Sequence, residues 1–152
     1  MNFDKSLISG ELIKRYKRFF VDAKVNNIIV TAHCPNTGSM MGLMNSGNRV
    51  WLSRSNNPNR KLKYTLQIIE KNRIKVGVNT HLTNKIVFKA LKNNCINEFK
   101  NLDLIKQEVK FNENTRFDFL ISKGNKKIFI EVKNVTLSRE KGMAEFPDAV
   151  TS

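Results

Sequence analysis

The sequence predicts an α+β chain, with an OB-like five-stranded β-barrel over residues 1–79 followed by an α/β unit over residues 80–152. Three observations predict it. In the first half, five short runs rich in β-branched and aromatic residues are separated by clusters of Asn, Gly, Pro and Ser. Over residues 81–95 the apolar spacing switches to a helical period. Beyond that, "RFDFLISKGNKKIFIEVKN", residues 116–134, reads as two apolar strands joined by Gly124-Asn125, a dipeptide favoured in two-residue hairpin turns.

The runs of the first half are "RYKRFFVDAKV", "NIIVTAH", "NRVWLS", "YTLQIIEK" and "RIKVGVN". Their length and composition suit a small antiparallel barrel, whose edges close on one another and whose variable loops often hold oligonucleotides. In "HLTNKIVFKALKNNC", Leu82, Ile86, Ala90 and the pair Val87 and Leu91 share one helical face, with Thr83 or Asn84 available as the cap. A polar link around residues 97–103 leads to a strand, "LIKQEVKF", and then to the hairpin. A two-residue turn sets Lys123 opposite Lys126, Ile121 opposite Ile128, Phe119 opposite Ile130 and Asp118 opposite Glu131. The sequence stops at "EFPDAVTS", after three strands and without a closing helix. A sheet with one bare face calls either for a partner, a dimer being the simplest, or for more chain.

Lys and Arg number 27 against 13 Asp and Glu, giving a formal charge of +14 and a pI of about 10.0. Such an imbalance favours polyanionic partners, nucleic acid first among them, although Lys, Asn and Ile are abundant enough for part of it to reflect base composition. Two cysteines, Cys34 and Cys95, make no disulfide framework, no signal-peptide pattern opens the chain, and no apolar run is long enough to span a bilayer. The expectation is a cytoplasmic protein without membrane attachment.

Opposed carboxylates need a neutraliser, because like charges directly across a ladder are destabilising. Lys133 leaves the strand on the same side as Glu131. Asp118, Glu131 and Lys133 thus form D-x(12)-E-x-K on adjacent strands, the pattern by which two carboxylates hold Mg²⁺ or Mn²⁺ and a lysine positions the water that attacks a phosphodiester. As a bare string the pattern is weak, and a solvated face of surface ion pairs is the competing reading. Glu108 joins that face with a five-residue loop at "NENT" and points away with a four-residue loop.

Three other stretches carry candidate chemistry. "TAHCPNTGSM" either cups an anion with its amides or makes a tight turn over a buried Cys34. "SRSNNPNRKLKYT" gathers Arg54, Arg60, Lys61 and Lys63 between Trp51 and Tyr64, which either stack on bases or face the barrel core. With Arg15 and Arg18 of "KRYKRF", these cations are the candidate DNA contacts. A zinc site is poorly supported, since His33, Cys34, His81 and Cys95 lack finger-like spacing.

"RYKRF", "TAHCPNTGSM", "SRSNNPNRKLKYT", "VGVNTHL" and "EVKNVTL…FPDAVTS" occur in an order and spacing that resemble the SfsA (sugar fermentation stimulation protein) family over nearly the whole chain. The resemblance implies an OB-like N-terminal barrel, an incomplete second domain resembling PD-(D/E)xK nucleases, and DNA binding linked to regulation of sugar (maltose) utilisation genes. It puts the nuclease-like constellation on Asp118, Glu131 and Lys133, with Mg²⁺ or Mn²⁺ as the implied cofactor. Two departures stand out. Phe88 and Lys89 occupy positions where the family has a glutamate pair, and family members continue past "FPDAVTS". The expectation is therefore a truncated DNA-binding member, with a Mg²⁺-dependent nuclease or an inactive remnant as the alternatives.

Overall fold

In the computed structural model, which describes residue 3, residues 6–140 and residues 142–145, a ring of five strands encloses the first core. The strands are β1 (Ile8–Tyr16), β2 (Phe20–Val25), β3 (Ile28–His33), β4 (Arg49–Arg54) and β5 (Tyr64–Lys71). Pairing runs β3-β2-β1-β4-β5, and a short parallel seam, Ala32 with Tyr64 and His33 with Thr65, joins β3 to β5 and closes the barrel. A sixth strand, β6 (Ile74–Gly77), extends the sheet beyond β5.

Alternation explains the core. Leu12, Val21, Ala23, Ala32, Val50 and Leu52 point inward with no exposed surface, and Lys14, Lys24, Arg49 and Arg54, set between them, are exposed. At Gly10, β1 runs close against β2. A Cβ there would sit 2.7 Å from the Lys24 carbonyl oxygen and 2.8 Å from Val25 Cγ2.

One expectation is corrected at the barrel's entrance. The run "RYKRFFVDAKV" is not a single strand, because the chain reverses at residues 17–19 and pairs Tyr16 with Phe20. Lys17 (φ 47°) and Arg18 (φ 61°) take the left-handed conformation without a glycine or asparagine to announce it. By contrast, Asn26-Asn27 and Asn72-Arg73 supply the two positive φ values of their tight hairpins.

Residues 81–133 form a separate compact unit, while residues 134–145 group with the barrel. The unit contains α1 (Thr83–Lys92) and an antiparallel sheet of β7 (Leu104–Lys110), β8 (Arg116–Lys123) and β9 (Lys126–Ile130) in the order β7-β8-β9. Leu91 of α1 packs with Phe119 and Ile121, and Phe88 stacks on Phe119 at 6.4 Å. The helix is not capped by Thr83 or Asn84. Leu82 is the cap residue, with no side-chain bond, because the helix already includes Thr83 and Asn84 and leucine has no polar atom to offer.

The hairpin has the register its turn dictates: Lys123 with Lys126, Ile121 with Ile128, and Phe119 with Ile130. Gly124 (φ 54°) takes the first central position, as a type II′ turn requires, and its N–H donates to Asp103 at 2.6 Å. Beyond Ile130 the ladder ends, so Asp118 and Glu131 are not a hydrogen-bonded strand pair. The "EFPDAVTS" motif lies outside the described residues after Glu145.

Candidate functional site

Two groups of side chains carry chemistry, one in each unit. In the 81–133 unit, Asp118 is half-buried near the start of β8. Its Oδ1 accepts the Asn84 Nδ2–H at 2.7 Å, and its Oδ2 accepts the Val132 N–H at 2.7 Å. A helix side chain and the backbone just past β9 therefore hold the carboxylate in one orientation. Lys133 Nζ donates to Glu131 Oε1 at 2.7 Å in a half-exposed ion pair. The bond to Glu131, then the charges of Glu131 and Asp118, hold the Lys133 ammonium above its ordinary range. Lys133 is therefore a cation at neutral pH, suited to neutralise charge and to donate rather than to accept a proton.

Glu108 does not join this group through the ladder. Five residues, 111–115, link β7 to β8, and the register pairs Val109 with Phe117 on one side and Gln107 with Phe119 on the other. Glu108 sits between those rungs with φ 53°, which breaks the pairing there, and its exposed carboxylate faces Arg116 at 3.8 Å. Among the described residues no group of three or more His, Cys, Asp and Glu could hold a metal ion. Asp118 and Glu131, whose charges both act on Lys133, are the two carboxylates of this group. Two hard carboxylates fit Mg²⁺, which keeps several waters and needs only one or two of them from the protein.

In the barrel, the candidate cations divide by what they touch. Register carries a row Tyr16–Phe20–His33–Thr65 around the rim from β1 to β5. With strands about 4.8 Å apart, about 15 Å of rim links the 17–19 turn to the start of β5. Arg60 Nη2 donates to Thr65 Oγ1 at 2.8 Å, which fixes the 55–63 loop to that row, and the Ser55 N–H to Lys63 carbonyl bond of 2.8 Å closes the loop's neck. Lys63 Nζ folds back onto the Pro58 carbonyl, while Arg54 and Lys61 are exposed. Arg18 is exposed on the turn.

Arg15 is different. Its guanidinium donates to the carbonyls of Asn36 and Gly38 at 2.8 Å, Arg18 at 3.0 Å and Ser39 at 3.3 Å. The "TAHCPNTGSM" loop therefore turns several carbonyls toward a cation of its own chain. Cys34 beneath it is fully buried, and burial pushes its thiol above the ordinary range against the opposing pull of Arg15. Tyr64 packs on the barrel core, and Trp51 lies on the outer face with Lys75 4.9 Å and Arg49 5.8 Å from its ring. Asn84, Lys14 and Lys17 complete the two groups without having stood out in the sequence. Only "KRYKRF" hinted at the lysines, and the local pattern marked Asn84 as a helix cap alone.

Comparison with known proteins agrees with this architecture. The sequence model described as the SfsA N-terminal OB domain matches residues 13–78, and that of the sugar fermentation stimulation protein RE domain matches residues 81–152. The chain is similar to the sugar fermentation stimulation protein homologs of Pelagibacter ubique, at 61% identity over 152 residues, and Maricaulis maris, at 46% over 155 residues. The whole chain aligns in both cases and spans 66% of each relative's length. The structure of Pyrococcus furiosus SfsA in complex with Ca²⁺ matches with a TM-score of 0.82 at 25% identity, covering 99% of this chain and 63% of that one. With the two domain matches in series and the closed barrel followed by a helix and three-stranded sheet, the chain belongs to the SfsA, or sugar fermentation stimulation protein, family.

Proposed function

We propose that the chain is a DNA-binding protein of the SfsA type, with its phosphate contacts on the basic rim of the barrel and its role in the control of sugar, including maltose, utilisation genes. The observation that carries this reading is the Tyr16–Phe20–His33–Thr65 row, which brings the Arg18 turn and the Arg60–Lys63 loop to one rim of a +14 chain. In OB-type barrels the corresponding loops and the face between them hold oligonucleotides. The sugar-utilisation part rests on the family's name. Binding measured against salt tests the footprint, because each phosphate contact contributes about 0.9 to the log–log slope for duplex DNA. A triple Arg60→Ala, Lys61→Ala, Lys63→Ala variant should flatten the slope, and an unchanged slope would move the footprint off the loop.

A second reading, a Mg²⁺-dependent nuclease of the 81–133 unit, draws on the fixed Asp118 carboxylate beside the Glu131–Lys133 pair, and on the Ca²⁺ complex of the Pyrococcus relative. Asp118 and Glu131 would hold the ion. Its chemistry, when bound, is electrostatic stabilisation of phosphoryl oxygens and a more acidic water. Asp118 and its two donors fix one ligand in place, Glu131 provides the exposed one, and Lys133 adds a positive charge beside them. Thermal stability should rise with Mg²⁺, by about 2.7 kcal/mol at a hundredfold excess over Kd, and Asp118→Asn should abolish the increment. Plasmid nicking with Mn²⁺ that Lys133→Ala stops would rank this reading first, and no metal-dependent stability would discard it.

A further inference from the structure

The outer face of the β1–β2 hairpin carries aromatic rings that the barrel core does not use. Tyr16 and Phe20, opposed across the hairpin, stack with centroids 5.4 Å apart and planes 13° from parallel. Tyr16 is 36% exposed and Phe19, at the tip, 46% exposed. The core beneath is filled by Leu12, Val21 and Ala23, so these rings contribute little to it. Cations surround them. Lys14 Nζ lies 5.4 Å from the Tyr16 ring, and Lys17 and Arg18 form the turn itself. The Tyr16 hydroxyl donates to Asp22 Oδ1 at 3.3 Å, the other Asp22 oxygen lies 3.9 Å from Lys14 Nζ, and Arg15, bound to the Arg18 carbonyl and the 36–39 loop, braces the tip.

We infer that this tip is a base-stacking platform for single-stranded nucleic acid, an assignment that rests on the DNA-binding reading above and names the ligand class of that rim. A duplex offers such a surface only phosphates and groove edges, because its bases stack on one another. A single strand offers both phosphates and free π-faces, and a ring exposed among lysines and arginines engages the two together. Phe19 and Tyr16 supply the faces, and Lys14, Lys17 and Arg18 the backbone charge.

The test uses the full chain, a labelled oligo-dT strand and a hairpin duplex with the same number of phosphates, titrated at several salt concentrations. Phe19→Ala and Tyr16→Leu should each weaken oligo-dT binding on the order of tenfold, leaving duplex affinity and both salt slopes unchanged. Lys17→Ala should weaken both ligands and flatten both slopes. Phe19 is exposed and is not one of the core residues, so its variant stays informative if Tyr16→Leu lowers the melting temperature. Equal losses for strand and duplex, or no loss in Phe19→Ala, overturn the stacking platform while leaving DNA binding in place. Displacement of oligo-dT by polyglutamate of matched charge, with both aromatic variants silent, assigns the surface to acidic polymers and overturns it too. Failure of the unaltered chain to bind either nucleic acid removes the DNA-binding reading and this inference together.

Discussion

Asn84 on the helix reaches across to Asp118 on β8, its amide 2.7 Å from a carboxylate oxygen whose partner oxygen is held by the Val132 N–H. The amide stands where a positive neighbour would otherwise be needed. Asn84→Ala should destabilise the protein by about 1–3 kcal/mol, read in urea, since it leaves a half-buried carboxylate short of a donor. If Asp118 is a metal ligand, the same variant should weaken Mg²⁺ binding about 10–100-fold, the usual effect of losing a residue that orients a ligand. Asn84→Asp adds a like charge instead. It should melt below the parent in chelator and gain more than the parent from Mg²⁺.

Arg15 and Arg18 look alike in the sequence and should behave differently. Removing the Arg15 fork releases the carbonyls of the 36–39 loop, so Arg15→Ala should cost about 0.5–1.5 kcal/mol. Arg15→Lys should not restore it, because an ammonium cannot span carbonyls the way a planar guanidinium does. Arg18→Ala should leave stability within about 0.5 kcal/mol and act on DNA affinity instead. A stable Arg15→Ala protein would refute the bracing role.

Thiol chemistry should separate the two cysteines. Cys95 is exposed and Cys34 is fully buried. An aromatic disulfide reagent should label one thiol in the native protein and both in denaturant. The folded Cys34 pKa lies above the ordinary thiol value of 9.0 because burial penalises the thiolate. Its contribution to stability is therefore intact below pH 9 and declines as pH rises from there through the folded value, where the unfolded chain ionises first. Melting temperature should fall above pH 9 less steeply in a Cys34→Ala or Cys34→Ser variant than in the parent.

Two strand glycines give a matched pair. Gly10→Ala drives a methyl into the Lys24 carbonyl and Val25, both on the neighbouring strand, and should cost about 1–3 kcal/mol. Gly77→Ala meets nothing within 4 Å at ordinary φ and should be neutral or stabilising by about 0.4–1 kcal/mol. Equal melting temperatures for the two variants would contradict the close approach of β1 and β2.

Legibility followed the local signals. The hairpin register was readable because Gly124-Asn125 allows one turn geometry and the pattern of apolar residues allows one phase. The helix and a five-stranded barrel were readable from period and punctuation, although the fifth run, "RIKVGVN", is β6 beyond the ring and not one of its five strands. The first part of β1, residues 8–14, was not, since its alternation is interrupted by Gly10 and the strand exits through a turn of Lys17 and Arg18, residues that seldom adopt positive φ. The Glu108 φ of 53° and the Asn84 bond to Asp118 depend on tertiary neighbours and have no signature in a single sequence. The same holds for Arg15, whose bonds reach carbonyls more than twenty residues away.

The parallel seam between β3 and β5 has a kinetic consequence. Every other pairing around the barrel is antiparallel, and the seam consists of Ala32 with Tyr64 and His33 with Thr65 alone. Parallel pairing is the weaker kind, and this one must wait for residues 34–63, which include β4, to settle before β3 and β5 can meet. The hairpins can therefore form first and the ring close last. In the native state the same order runs backwards, so the amides at the seam should exchange with solvent before those buried in β1 and β2, and the barrel should breathe at the edge where the Arg60 loop is attached.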